Sequence, residues 1–345
     1  MSKVALVSDL HFGAHSDDKT LQDSQFKFVE QLVSDCKERW IKDIYILGDL
    51  FDTRHAINVL TINRVIAFFQ KYEHDRIHWH ILLGNHDLYY KNTIDVNSLI
   101  LLNKIENVEI IDKPTLVNDT LLLPWVTDYE QFRNEVEGKM SCKRMFGHLD
   151  VIGAKMDNYN VSENGFTKEE LFKSWQYIYS GHYHKHSETV VGENKLIYLG
   201  TPYQLTRAEI EEKGFYILDP DTEELEFVKN KHCIEYKKLR YPEKPDDLDL
   251  LVKGNIVDIE VSWEDGKYMN KVNDYIAEIE SHGPAYPVNV VYQQRKEVAS
   301  TDKIDASKIT ILSLGKKYID DCEDIKNKSK VFDAFSELYS KYSAQ

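Results

Sequence analysis

Five short polar motifs, each of which follows an apolar run, carry residue types that bind metal ions. In chain order they are Asp9-x-His11, Gly48-Asp49-x-x-Asp52, Gly84-Asn85-His86-Asp87, Gly147-His148 and Gly181-His182-x-His184. Carboxylate oxygens, imidazole nitrogens and amide carbonyl oxygens are common ligands of divalent cations. A single motif of this kind is weak evidence, but the repetition favours one shared site for metal-dependent chemistry.

The motif around Asp49 is central to this prediction. The apolar residues 44–47 stop at Gly48, which is typical of a buried strand and would place Asp49 at its carboxyl end. Open α/β sheets bind their ligands at this end. Because a carboxylate has two oxygens, Asp49 could bridge two cations, a task for which a single imidazole or amide is less suited.

The neighbouring motifs complete the site. Asp9 and His11 lie two residues apart, so in an extended segment their side chains share a face and can reach one metal ion. Asn85 offers a carbonyl oxygen to a metal, and His86 is the candidate to act on substrate as a proton donor or phosphate clamp. We expect Asp87 to orient the imidazole of His86. In isolation, a Gly-Asn turn that carries His and Asp by chance would be the better interpretation.

The elements that position these motifs alternate between strands and helices. Apolar runs predict strands at 4–7, 44–47, 78–83, 108–111, 121–125, 144–148 and 177–181. Apolar residues at helical spacing predict helices at 23–39 and 62–69, and Thr167 and Glu170 fit a capping box that opens a short helix. This order indicates an α/β fold with a parallel sheet, which antiparallel strands between residues 189 and 227 would close.

The last third of the chain predicts a small separate unit and a helical tail. Pro242 and Pro245 lie in a charged segment that interrupts the pattern, and we place a domain boundary there. Beyond it, strands at 256–261 and 288–292 flank a helix at 267–281, and two helices follow near 307–320 and 328–342. The predicted domains are residues 1–240, 241–300 and 301–345.

The final predicted helix has a one-sided apolar stripe. Its members are Val331, Phe332, Phe335, Leu338, Tyr339 and Tyr342. Such a stripe either packs on the helix's own domain or docks on a partner, and the sequence favours neither alternative.

Composition narrows the class of protein. A net charge of -15 argues against a protein that coats nucleic acid through a generally basic surface, although it does not exclude a nuclease. A local basic run includes Lys237, Lys238 and Arg240, which form either a solvated face or a contact with a DNA backbone. No run of about 18 apolar residues and no signal-peptide pattern is present, so we expect a cytoplasmic protein without a membrane partner. Four scattered cysteines without a CxxC pair predict reduced thiols.

As an ordered set, the five motifs resemble those of the calcineurin-like metallophosphoesterases over about the first 185 residues. The resemblance implies two sheets in a sandwich flanked by helices, here with a small α/β cap domain and a C-terminal helical pair. It also implies two divalent metal ions. One ion would be held by Asp9, His11, Asp49 and His184, and the other by Asp49, Asn85, His148 and His182. Nitrogen and oxygen ligands without thiolate suit manganese, iron or zinc, and manganese is the ion that the family's nucleases prefer.

Within this superfamily, the chain is most similar to SbcD-type DNA repair nucleases, and its length is similar to that of their bacteriophage members. Two later motifs support the similarity, Tyr198-x-Gly200-Thr201-Pro202 and Glu212-Lys213-Gly214. The resemblance implies 3′ to 5′ exonuclease action on duplex ends and endonuclease action on single strands, in recombination, repair and replication. It further implies that the cap binds DNA and that the chain forms a homodimer. The C-terminal helices would dock an SbcC-type ABC ATPase with a coiled coil, which gives a two-plus-two complex.

The sequence departs from this pattern at Asp52, where cellular members from archaea and eukaryotes often carry His. We therefore expect Asp52 only to order the loop or a ligand, and His86 to be the catalytic side chain. Two other functions remain open. A phosphomonoesterase or protein phosphatase would keep the metals but have no use for a cap or tail, and a non-catalytic subunit that binds DNA ends would have no need for intact ligands.

Overall fold

The computed structural model of the chain describes residues 2–136, 140, 142–155, 160–293, 316, 318–320 and 327–342. The chain consists of two compact units, one that ends at Gln293 and one that begins at Gln294. Among the described residues, no helix is both long enough and apolar enough to cross a membrane. Cys36, Cys142 and Cys233 are free thiols, as the sequence predicted for them, whereas Cys322 lies outside the described residues.

The first unit is built on two six-stranded sheets. Sheet one has the order β12-β11-β1-β2-β3-β4. Its strands are β1 (Val4–Val7), β2 (Asp43–Ile46), β3 (His78–Leu82), β4 (Val108–Ile111), β11 (Gly214–Asp219) and β12 (Glu224–Lys229). Strands β1 to β4 are parallel, as the alternation of strands and helices predicted, and β11 and β12 extend the sheet in antiparallel register.

Sheet two has the order β5-β6-β7-β8-β10-β9. Its strands are β5 (Thr115–Val117), β6 (Thr120–Leu123), β7 (Arg144–His148), β8 (Tyr177–Gly181), β9 (Ser187–Val191) and β10 (Asn194–Tyr198). The four inner strands are parallel and the two edge strands are antiparallel. The region from 189 to 227 thus closes two sheets rather than one, and its strand β10 is parallel to β8 instead of antiparallel.

Three apolar layers hold this sandwich together. Leu6 and Leu82 of sheet one face Phe146 and Ile197 of sheet two, and these side chains form the core between the sheets. The outer face of sheet one is covered by α2 (Lys19–Glu38) and α3 (Val59–Lys71), which confirm the predicted helices. The outer face of sheet two is covered by α4 (Tyr129–Glu135) and α5 (Lys168–Phe172). The predicted sandwich of two sheets flanked by helices is therefore confirmed.

Local signals explain where several elements begin. Thr167 and Glu170 form the predicted capping box at the start of α5, since each side chain bonds the other residue's backbone N–H. Asn58 caps α3 and Asp18 caps α2 through their side-chain oxygens. A short turn, α1 (Ala14–Asp17), precedes α2, and a 3-10 turn covers Ser98–Leu102.

A third, three-stranded parallel sheet has its own core. It consists of β13 (Tyr236–Arg240), β14 (Ile256–Val261) and β15 (Asn289–Tyr292), with α6 (Leu248–Val252) and α7 (Met269–Ser281). Val257 and Ile259 of the sheet pack on Val272 and Ile279 of α7. Strand β13 precedes the predicted domain boundary at residue 241 but belongs to this sheet, because it pairs in parallel register with β14.

In the second unit, α8 (Lys328–Tyr342) has the predicted bounds of the final helix. Phe332 and Phe335 of its apolar stripe lie with ring centroids 6.5 Å apart, and Val331 is exposed. The side chains of Leu338, Tyr339 and Tyr342, and most of the predicted helix at 307–320, lie outside the described residues.

Candidate metal centre

The seven predicted metal ligands meet at the carboxyl ends of the parallel strands. Sheet one supplies its ligands from the loops after β1, β2 and β3, and sheet two from the end of β7 and the loop after β8. The residues brought together are Asp9, His11, Asp49, Asn85, His148, His182 and His184. Asp9, His11, Asp49 and His148 are each at most 1% exposed, so these polar groups face one another instead of water.

Two clusters can be distinguished within this set. In the first, ligand atoms of Asp9, His11 and His184 all lie within 4.8 Å of one another, and the Nε2 atoms of the two histidines are 3.0 Å apart. In the second, Asn85 Oδ1 lies 2.9 Å from both His148 Nε2 and His182 Nδ1. This is the division into two groups of ligands that the family resemblance implied.

Asp49 lies between the two clusters. Its Oδ2 is 3.8 Å from His11 Nε2 and 3.4 Å from His148 Nε2. Its Oδ1 accepts a hydrogen bond of 2.8 Å from the backbone N–H of His86. The sequence suggested a bridge through two oxygens, but in this geometry Oδ2 alone faces both clusters.

The ligand loops have an unusual backbone. Asp9, His11, Asp49 and His182 have φ values of 54°, 41°, 52° and 97°, in the left-handed region that L residues rarely adopt. Such strain persists only where surrounding contacts hold it in place, and it is concentrated at functional sites. Here two ligand loops hold each other, because the backbone N–H groups of Asp9 and His11 donate to the carbonyls of Gly48 and Asp49.

Two glycines allow this close approach. A Cβ on Gly48 would lie 2.2 Å from His148 Nδ1, and a Cβ on Gly84 would lie 2.2 Å from Asp49 Oδ1. The glycines at the ends of these strands are therefore part of the site, since a larger residue would displace a ligand.

Hydrogen bonds also fix how His148 presents its ring. His148 Nδ1 donates to the Leu47 carbonyl at 2.7 Å, because a carbonyl oxygen can only accept. Nε2 therefore points at Asn85 and Asp49. A backbone carbonyl behind an imidazole is a common way to orient a metal ligand.

The protonation states of Asp49, His182 and His184 suit the binding of cations. Burial by itself would raise the pKa of Asp49, but the imidazoles of His148 and His11 hold it well below its usual range. Burial would lower the pKa of His148, yet the Asp49 carboxylate raises it to about 9. In contrast, burial and neighbouring imidazoles lower the pKa of His182 and His184 to about 3, so both are neutral with free lone pairs.

These residues fit a pair of divalent ions. Metal–ligand bonds of roughly 2.0 to 2.2 Å place neighbouring ligand atoms about 3 Å apart, which matches the nitrogen and oxygen separations within both clusters. His11 presents Nε2 to Oδ2 of Asp49 and to His184, so the nitrogen that faces the clusters is free to bind an ion. The donor set contains only nitrogen and oxygen, as the sequence predicted.

The residues behind the ligands differ in part from expectation. Asp87 does not contact the His86 imidazole but accepts hydrogen bonds from the backbone N–H groups of Gly84 and Leu50, at 2.9 and 3.1 Å. It therefore ties two ligand loops together. The ring of His86 is oriented instead by the Asp52 carbonyl, which accepts from His86 Nδ1 at 2.5 Å. The expectation for Asp87 was wrong because backbone donors lie closer to its carboxylate than the imidazole does.

The position of Asp52 agrees with a role in ordering a ligand. Its Oδ1 lies 3.3 Å from His11 Nδ1, on the side of the ring that faces away from the clusters. The His11 imidazole holds the pKa of Asp52 below its ordinary value. Asp52, His11 and His86 also lie close enough together to form a third group of potential ligand atoms.

The basic residues of β13 are not on one face. Lys238 and Arg240 alternate with Lys237 along the strand, so Lys237 points to the opposite side. Lys237 pairs with Glu235, and Lys238 lies 2.5 Å from Glu260. Their contact with DNA stays a prediction.

The sequence did not indicate two neighbours of the centre. The ring of Trp125 lies 4.9 Å from that of His182 and 5.8 Å from that of His148. Lys213 lies behind His184 and donates to its carbonyl. Lys213 belongs to a motif that the sequence singled out without a role, whereas no signal marked Trp125 apart from other aromatic residues.

Comparison with known proteins identifies the domain. The family model described as calcineurin-like phosphoesterase matches residues 2–205. Exonuclease subunit 1 of Enterobacteria phage T4 is 27% identical over 341 residues, which cover 95% of each chain. The similarity to that relative therefore extends well beyond the residues that the family model matches.

Three solved structures are similar to this chain at lower sequence identity than the phage relative. An archaeal phosphodiesterase has a TM-score of 0.37 at 11% identity and covers 66% of this chain and 99% of its own. A dimetal phosphatase from Danio rerio has a TM-score of 0.38 at 12% identity, with coverages of 62% and 91%. Nuclease MPE of Pseudomonas putida has a TM-score of 0.32 at 15% identity, with coverages of 65% and 87%.

Proposed function

Because this chain belongs to the calcineurin-like phosphoesterase family, whose members are metal-dependent hydrolases, we propose that it is the nuclease subunit of a DNA-processing complex. The observation that carries the proposal is the convergence of seven nitrogen and oxygen ligands, five of them buried and two half-buried, with Asp49 between two groups of three. Support for DNA as the substrate comes from the similarity to an exonuclease subunit along nearly the whole chain.

The chain's own residues define the proposed mechanism. Asp9, His11 and His184 would hold one divalent ion, Asn85, His148 and His182 would hold the other, and Asp49 would contribute to both. When bound, the ions supply Lewis acidity to a phosphoryl oxygen and make a nucleophile available at neutral pH. Ligands without thiolate suit manganese, iron or zinc, and manganese is the proposed ion because the resemblance implies it.

His86 is the proposed catalytic side chain. Its Nδ1 donates to the Asp52 carbonyl, and its ring lies edge-on to that of His11 with the centroids 4.9 Å apart. Nε2 can donate to a phosphate oxygen or to a departing oxygen only when the ring is protonated. In this role, His86 would stabilise the phosphate or donate a proton to the leaving 3′ oxygen.

We assign the remaining parts of the chain by the same resemblance. The domain of residues 1–240 cleaves DNA by 3′ to 5′ exonuclease action on duplex ends and endonuclease action on single strands. Residues 241–300 form a cap that contacts DNA, with Lys237, Lys238 and Arg240 beside it. Residues 301–345 dock an ABC ATPase with a coiled coil, two copies of each subunit assemble, and the complex works in the cytoplasm.

The proposal is tested by manganese-dependent cleavage of a duplex labelled at its 5′ ends. Wild-type protein should shorten the labelled strand progressively from its 3′ end. Asp49→Ala should lower the rate by more than about 1,000-fold, because several kcal/mol of transition-state stabilisation are lost with the shared ligand. Asp43→Ala is the matched control, since Asp43 begins the strand after which Asp49 lies, and its side chain bonds His80 at the end of the strand opposite the site.

Other outcomes would favour the other functions. Hydrolysis of a small phosphomonoester with intact DNA would favour a phosphatase on the same fold. If the protein binds manganese and cleaves neither substrate, even with an ATPase partner present, the non-catalytic subunit becomes the better interpretation.

A further inference from the structure

Behind the second histidine of the His182-x-His184 loop lies an almost fully buried lysine. Lys213 directly precedes β11 and is 4% exposed. Its Nζ donates to the backbone carbonyl of His184 at 3.0 Å and to Thr201 Oγ1 at 3.0 Å. It also lies 2.7 Å from Glu209 Oε2 and 2.8 Å from Glu211 Oε1. Four oxygens therefore surround one ammonium group.

The same carbonyl is held from a second side. The backbone N–H of Thr201 donates to the His184 carbonyl at 3.1 Å. Gly200 has a φ of +78°, and a Cβ there would lie 2.9 Å from that carbonyl oxygen and 2.8 Å from the backbone nitrogen of His186. The turn of Gly200 and Thr201 and the side chain of Lys213 thus clamp the backbone that carries His184.

Stability alone does not account for this arrangement. Taking a lysine and its partners out of water costs free energy that their attraction recovers only in part, and an apolar side chain often serves stability equally well. Glu209 is 8% exposed and also accepts a hydrogen bond from Thr201 Oγ1 at 3.1 Å. The carboxylates therefore hold the Lys213 side chain in place, with Nζ aimed at the His184 carbonyl.

We propose that Lys213 is a positioning residue for the metal centre, which acts by fixing the His184 backbone. Held by Glu209 and Glu211, Nζ keeps the His184 ring where its Nε2 faces His11 Nε2 at 3.0 Å. An imidazole that is free to shift by a fraction of an ångström loses the geometry that a metal ligand requires. The inference rests on the proposed function only in requiring that the site binds metal. It also gives a role to the motifs at 198–202 and 212–214.

The test uses Mn²⁺ alone, titrated into full-length protein and followed by calorimetry and by electron paramagnetic resonance. Lys213→Met keeps the length of the apolar stem and removes the ammonium group. We expect the affinity of the ion held by His184 to fall about 10-fold or more, as for other residues behind metal ligands, while the second ion binds as in the wild type. Arg144→Met is the matched control, because it removes another buried cation that contacts no ligand.

A double variant separates positioning from stability. Lys213→Met leaves the buried Glu209 carboxylate without its cation and should lower the melting temperature. Adding Glu209→Gln removes this buried negative charge and should recover much of that stability, but it cannot restore the donor to the His184 carbonyl. Manganese affinity should therefore stay low in the double variant while the melting temperature recovers.

Two results would overturn the inference. Wild-type manganese affinity in Lys213→Met would show that the ammonium group does not position His184. Recovery of affinity together with stability in the double variant would show that Lys213 acts only through the fold. Because no DNA is used, a wild-type protein that binds manganese but leaves DNA intact would contradict the proposed function without touching this inference.

Discussion

Strand β7 carries a buried basic residue at each end, and the two ends differ in the partners that this residue has. At its first residue, Arg144 donates to Glu223 at 2.7 Å and to Thr120 at 2.9 Å. At its last residue, His148 faces Asn85 and the shared oxygen of Asp49. The guanidinium at the Arg144 end is paired with a carboxylate and a hydroxyl, whereas the ligands at the His148 end converge on positions that cations would fill. The first arrangement serves the fold, and the second serves chemistry.

The substitution with the largest expected effect, at the His148 end, tests whether His86 serves catalysis without binding metal. His86→Gln should slow DNA cleavage by roughly 100-fold to 10,000-fold, the range for loss of a general acid or base. Manganese affinity should stay near that of the wild type, because His86 holds neither ion in the proposed arrangement. Parallel kinetics and manganese titration check this, and loss of metal together with activity would make His86 a ligand instead.

At the Arg144 end, the expected effect is on stability alone. Arg144→Met should lower the free energy of unfolding by roughly 3 kcal/mol, because Glu223 stays buried with a weaker set of partners. Denaturant titration measures this loss. The cleavage rate per folded molecule should be unchanged, and a lower rate would mean that the two ends of β7 are coupled.

Alanine substitutions at two glycines with positive φ separate the cost of backbone strain from the cost of a clash with a ligand. Gly48→Ala and Gly192→Ala both place a side chain in the left-handed region, at a cost of roughly 1 to 2 kcal/mol each. A Cβ on Gly192 meets open space, whereas one on Gly48 would lie 2.2 Å from His148 Nδ1. Gly48→Ala should therefore lose further stability and also manganese affinity. Equal losses in both variants would contradict the account of the ligand loops.

The smallest expected effect concerns His80, a titratable group away from the metal ligands. Burial would lower the pKa of His80, but hydrogen bonds to Asp43 and Glu109 raise it above its ordinary value. Its contribution to stability is therefore complete below about pH 6.5 and is lost as pH rises through the folded pKa. The difference in unfolding free energy between wild type and His80→Gln should shrink with rising pH. A constant difference would mean that His80 does not titrate in this way.

The sequence predicted the parts of the site that depend on local order. Each ligand motif follows an apolar run, and parallel strands bring their carboxyl ends to one edge, so Asp9, Asp49 and Asn85 could be placed together from the sequence. The bounds of β1, β4 and β14 agree with the predicted runs for the same reason. The capping box at Thr167 was predictable because its hydrogen bonds span three residues.

What the sequence could not predict depends on contacts between distant segments. Asp87 bonds the backbone of Leu50, 37 residues away, and not the neighbouring His86. Lys213 reaches His184 across 29 residues, through a turn whose geometry no periodicity reveals. Pairing between strands also decides that Lys237 faces away from Lys238 and Arg240, since β13 buries Leu239 between them.

The most direct measurement is the anomalous scattering of manganese in a crystal of the wild-type protein soaked in Mn²⁺. The account predicts two peaks in the anomalous difference map. One peak should contact Asp9, His11 and His184, the other Asn85, His148 and His182, and Asp49 Oδ2 should contact both. A single peak, or peaks away from these side chains, would contradict a dinuclear centre built around Asp49.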